Sequence, residues 1–119
     1  VSAEEITPNS VEATLLWLFR QLGIAQEQLA DLDEQLVLAR CTFELAHAHA
    51  FLAADGPMDV RRYQAIVATE REKFAADVAD QQVRKARERL KTLGTRAEIA
   101  RSLRASVGSA MSLGNPGAA

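Results

Sequence analysis

Apolar positions along residues 29–53 follow a strict rhythm. Leu29, Leu32, Leu36, Ala39, Phe43, Ala46, Ala50 and Ala53 recur at alternating steps of three and four, the spacing of one packed helical seam. A second row, Leu38, Cys41, Leu45, Ala48 and Leu52, lies on another side of the same helix. A surface helix needs a single apolar stripe, so two rows predict a central helix covered from both sides by the rest of the chain or by a second copy of it, with Phe43 and Leu45 each shielded from water in the complete assembly. Its expected span is from about Ile24 to about Ala54.

Before it, Val11, Leu15 and Leu18, with Leu16, Trp17, Phe19 and Leu22, predict a short apolar helix. Asn9 or Ser10 is its expected cap, Glu12 sits in its first turn, and Gly23 is its expected stop. Residues 1–8 read as a mobile lead-in. After the central helix, Asp55-Gly56-Pro57 is a firm break, because glycine permits a left-handed turn and proline lacks the N–H a helix requires. Asp59 is one expected cap of the next helix, and Pro57 near its first turn is the other expected start. From Met58 to about Met111 only Gly94 and Gly108 weaken a helix. Its apolar positions begin as Val60, Tyr63, Val67 and Phe74, slip by one place, and resume as Ala79, Val83, Ala86, Leu90, Leu93, Ala97 and Ala100. Such an element outruns the central helix. It must bend near Gly94, with Thr95 and Glu98 forming a new capping box, or reach toward another molecule. Residues 114–119 read as a flexible tail.

The expectation is an all-α protein: a helical hairpin or bundle with a short N-terminal helix and a long basic C-terminal helix. It is one domain over residues 1–113, completed by self-association, with a dimer favoured. Trp17, Phe19, Leu38, Leu45 and Leu52 are its candidate interface residues. Composition agrees, since aromatics make up only 5% of the 119 residues and alanine and leucine carry the apolar surface. A single cysteine, Cys41, excludes an internal disulfide and is expected to be a small buried hydrophobe. The acidic start lacks the layout of a signal peptide, and no stretch is apolar enough for a bilayer, so a cytoplasmic protein without membrane association is expected.

Charge adds an asymmetry that the net value of −2 conceals. Residues 1–57 hold two arginines against nine carboxylates, a balance of −7; residues 58–119 hold twelve lysines and arginines against seven carboxylates, a balance of +5. Arg84, Lys85, Arg87, Arg89, Lys91, Arg96, Arg101 and Arg104 are the candidate contacts to a nucleic-acid backbone, at a density that suits phosphates. No aromatic is interleaved to stack an unpaired base, and the competing expectation is pairing with the acidic first half. Glu44 and His47 have the Glu-x-x-His spacing of dimetal bundles, but a full site needs further ligands, for which Glu70 and Glu72 are the only attractive additions. An ion pair of Glu44 with Arg40 is the simpler expectation. His49 faces another way. No catalytic residue, cofactor site or metal site is assigned, and no enzyme activity is expected.

Three segments, Tyr63–Glu72, Val83–Leu90 and Arg101–Arg104, give residues 60–105 a likeness to a known group. This part of the chain resembles small helical accessory proteins encoded by tailed phages of actinobacteria. The resemblance implies a non-enzymatic factor whose partner is a host or phage protein, and it carries over no catalytic residue. Combined with the basic stretch, it gives two functional expectations: an accessory factor touching nucleic-acid backbone, or a module or scaffold that binds proteins.

Overall fold

A computed structural model describes residues 7–113, with side chains up to residue 110. Of the expected lead-in over residues 1–8, residues 1–6 lie outside the described residues, as does the tail over 114–119; Thr7 and Pro8 are not a loose lead-in, since α1 begins at Pro8. Three helices account for the described residues: α1, Pro8–Ala53; α2, Met58–Ala68; and α3, Glu70–Leu113. The described residues hold no strand, and the all-α expectation is met. They group into two compact units, one made of residues 27–87 and the other of residues up to 26 together with those from 88 onward.

The start of α1 is set by Thr7. The Ser10 N–H donates to Thr7 Oγ1 at 3.1 Å and the Thr7 N–H donates to Ser10 Oγ at 3.0 Å, a reciprocal arrangement that satisfies backbone donors left over at a helix start. Pro8 occupies the first helical position, where its missing N–H costs nothing. The cap is therefore Thr7, ahead of both Asn9 and Ser10. Gly23 does not stop the helix: α1 is continuous for 46 residues. The physical reason lies in register. Val11, Leu15, Leu18, Leu22, Ala25 and Leu29 continue the same alternation of four and three as the seam from Leu29 onward, so both sides of Gly23 bury the same face. A helical glycine costs about 1 kcal/mol relative to alanine, less than the burial that this continuity secures.

The break at 55–57 is where the sequence places it. Gly56 has φ +106, a conformation that side chains disfavour. Pro57, extended at ψ 156, precedes α2, and Asp59 lies within the first turn rather than capping it. Arg61 ties the turn down, donating to the Phe51 carbonyl at 3.2 Å with its guanidinium 4.9 Å from the Phe51 ring centroid.

The second break falls at Thr69, not near Gly94. Thr69 is buried, and its hydroxyl donates to the Ala65 carbonyl at 2.7 Å, while its N–H is shared between the Ala65 and Ile66 carbonyls. This buried hydroxyl bonds back to its own preceding turn, a pattern that bends helices. Past it, α3 runs through Gly94 and Gly108 without interruption. Thr95 caps nothing; its hydroxyl donates to the Lys91 carbonyl inside the helix at 3.1 Å.

In the unit of residues 27–87, α1 and α3 run antiparallel as a helical hairpin, with Arg40 paired to Asp80 and Asp33 to Arg87. Leu36, Ala65, Thr69, Ala76 and Val83 are buried along its seam, and Leu32, Ala39, Phe43, Ala46 and Ala50 are half-buried. In the other unit, Val11, Leu15, Leu18 and Ala25 of α1 pack with Leu93, Ala97 and Ala100 of α3. The second half of the basic helix is thus covered by the first turns of α1. The expectation that it must bend or reach outward depends on ending the first helix at Gly23, and it fails with that stop.

Candidate functional site

Outward-facing apolar side chains are the most conspicuous chemistry of this chain. On α1, Leu38, Leu45 and Leu52 are 61%, 62% and 73% exposed, and Cys41 and Ala48 between them are exposed as well. The second row is therefore bare in the single chain, so the rest of the chain does not supply the cover expected on that side. Phe43 is half-buried as the seam requires; Leu45 is not covered, and Cys41 is not a buried hydrophobe. The hairpin has only one other long helix to offer, and α3 takes the Leu36 side of α1.

A second outward face begins on α2. Val60, Tyr63, Val67 and Phe74, the packing stripe expected from the sequence, all face water, together with Ile66. The row that packs is Ala65, Thr69 and Ala76, with Glu72 half-buried between them. Small side chains allow helix backbones to approach, so here the larger residues are displaced outward. Between this face and α1 lies a hollow of about 390 Å³ lined by Phe43, His47, Ile66, Val67, Thr69, Glu70 and Lys73. His47 meets the Phe43 ring edge-on at 5.8 Å, and Lys73, paired to Asp77 at 2.9 Å, lies 5.7 Å from the centroid of the same ring.

In the unit containing the chain ends, Trp17 and Phe19 are about half exposed, along with Leu16 and Ile24. Trp17 borders a shallow hollow with Arg96, Ile99 and Leu103. The guanidinium of Arg101 sits 5.3 Å from the Phe19 ring centroid while pairing with Glu98 at 2.6 Å. All five residues expected to form an interface, Trp17, Phe19, Leu38, Leu45 and Leu52, are thus open to solvent.

The eight basic candidates divide into two groups. Arg84 pairs with Asp80 at 3.0 Å, Arg87 with Asp33 at 3.6 Å, Arg101 with Glu98, and Arg104 with Glu12 at 2.7 Å. Two of those carboxylates, Asp33 and Glu12, belong to the acidic first half, so part of the charge asymmetry is used inside the chain. No ion pair is formed among the described residues by Lys85, Arg89, Lys91 or Arg96. The Arg104–Glu12 pair is solvent-exposed and screened, so Glu12→Ala is expected to lower stability by less than about 1 kcal/mol, read from urea unfolding curves. A larger loss would mean that Glu12 also shapes the N-terminal turn of α1.

Glu44 is exposed, and its expected partner Arg40 instead pairs with Asp80 at 3.1 Å. Asp80 also holds Arg84 at 3.0 Å. Among the described residues, no group of three or more His, Cys, Asp or Glu is placed to hold a metal. Among the described residues, no helix is long and apolar enough to cross a membrane. The signal that sequence reasoning missed is the outward Val60–Phe74 face, which only the smaller residues beside it, Ala65 and Ala76, could have disclosed. No protein-family model, curated protein or solved structure matches the chain.

Proposed function

We propose that this chain is a non-enzymatic interaction module that binds other protein helices, in keeping with its resemblance to phage accessory proteins. The observation that carries this reading is the pair of bare apolar rows, Leu38–Leu52 on α1 and Val60–Phe74 on α2 and α3. Exposed apolar rows of this extent are an aggregation liability unless something covers them. Their helical spacing suits an amphipathic helix laid alongside.

Tyr63→Glu combined with Phe74→Glu tests the second face. Both side chains are more than two-thirds exposed, so the chain stays folded. Wild-type protein immobilised in a lysate of its native cell is expected to retain a defined protein that the double variant loses. Equal retention by both removes this face from the reading.

The alternative, contact with nucleic-acid backbone, is favoured by one observation: Lys85, Arg89, Lys91 and Arg96 make no ion pair among the described residues and stand at the surface of the basic helix. It predicts binding to DNA or RNA that weakens steeply with salt and loses most of its salt slope when these four become alanine. Absence of binding to single- or double-stranded DNA or RNA at low salt ends that reading.

A further inference from the structure

We infer that the groove beside Trp17 receives an amphipathic helix whose apolar stripe is bordered by carboxylates. This partner is one case of the proposed helix-binding role, on which it rests, and it has a definite charge.

The groove lies wholly within the unit that holds the chain ends. One hollow, of about 280 Å³, is bordered by Trp17 of α1 and by Arg96, Ile99 and Leu103 of α3. A second, of about 150 Å³, reaches Ser10 and Val11 and shares Thr14, Ala100 and Leu103 with the first. The two form one trough between antiparallel helices, about 10 Å long from Ser10 to Trp17. That length suits about two turns of a helix laid along it. Trp17, Ile99 and Leu103 are 49%, 56% and 40% exposed, so its apolar wall is left uncovered by the unit itself.

Charge then selects the occupant. Arg96 is the one charged residue lining the trough, and Arg20 follows one turn after Trp17. The Arg104–Glu12 pair sets the register of the two helices. Eight residues inward from each partner, Arg20 and Arg96 come level, so two cations mark one end of the trough. Neither forms an ion pair among the described residues. The carboxylates of the unit are elsewhere. Glu12 sits about 140° round α1 from Trp17, and Glu98 is held by Arg101 beside Phe19. Glu88 precedes Arg96 by eight residues, about 12 Å along α3.

An apolar trough ending in two unpaired cations fits leucine-like side chains flanked by Asp or Glu. Each carboxylate gains a charge-assisted hydrogen bond at an edge from which the docked helix excludes water. A helix flanked by lysine would meet like charge there. Nucleic acid would satisfy the cations but set sugar and phosphate against Ile99 and Leu103.

Trp17 is the single tryptophan of the chain, so its emission reports on the trough directly. Two synthetic helical peptides free of tryptophan, identical in their leucine stripe, carry either glutamate or lysine at the flanking positions. The glutamate peptide is expected to shift Trp17 emission to the blue and to bind about tenfold or more tighter than the lysine peptide. Arg96→Glu is expected to reverse that order, and Ile99→Glu to abolish the shift. Circular dichroism verifies that both variants remain helical. Tyr63→Glu with Phe74→Glu is expected to bind the glutamate peptide as the wild type does, because that face belongs to the other unit. Equal binding of the two peptides, or an order unchanged by Arg96→Glu, overturns the inference. So does a shift produced only by a single-stranded oligonucleotide, or by raising the concentration of the chain without peptide, since either names another occupant. Failure here leaves the lysate experiment on Tyr63 and Phe74 untouched, so the two readings fall separately.

Discussion

Leu15→Ala is expected to lower the unfolding free energy by about 2–4 kcal/mol, the usual cost of emptying a closed apolar site. Leu15 is 2% exposed and packs in the cluster formed by Leu18, Ala25, Leu93, Ala97 and Ala100. Ala25, Ala97 and Ala100 in that cluster are too short to reach into a vacated space, so the site cannot easily refill. Native domains hold only about 5–15 kcal/mol in total, and a chain with so slender a core has little in reserve. Leu16→Ala is the matched control. One residue along, 55% exposed, it is expected to change stability by less than about 0.5 kcal/mol. Urea denaturation of both variants reads the contrast; equal effects would mean that α1 does not present its Leu15 face to α3.

Gly23→Pro is expected to cost about 3 kcal/mol or more, with a visible loss of helical signal in circular dichroism. Proline there removes the N–H needed in the middle of α1 and collides with the turn before it. Gly23→Ala should do the opposite. A methyl group at this position meets nothing within 4 Å, so alanine is expected to stabilise the chain by about 0.5–1 kcal/mol. The two substitutions together discriminate a single helix from two helices joined at Gly23, because a joint would accept proline with little penalty. Thermal melts read both. A tolerated proline would return α1 to two pieces.

Much of this architecture is legible in the residues themselves. The seam from Leu29 to Ala50, the turn around Gly56, and the row from Ala79 to Ala100 are all found where the residue pattern places them. The departures share a physical origin. Gly23 has the local preference of a helix stop, although the register of Leu22, Ala25 and Leu29 passes through it unchanged. On α2, size alone favours the larger apolar residues for packing, yet Ala65 and Thr69 take the inner face, where small side chains are what the neighbouring helix permits. The second α1 row is bare because hydrophobicity reports a need for cover without saying which molecule supplies it. Of the candidate cations, the separation of Arg87 and Arg104 from Lys85 and Arg89 depends on Asp33 and Glu12 lying across from them, a long-range fact that no local pattern holds.

The division of the chain bears on how it assembles in time. Residues 27–87 form one continuous stretch closed by the turn at Gly56, whereas the other unit joins segments from the two ends, with that whole stretch between them. Closing a long loop costs more entropy than closing a short one, and contacts near in sequence form faster. The hairpin of residues 27–87 is therefore expected to form first, ahead of the contacts that join residues up to 26 with those from 88 onward. In synthesis, the Trp17 segment would wait for its partner until Ala100 had been added.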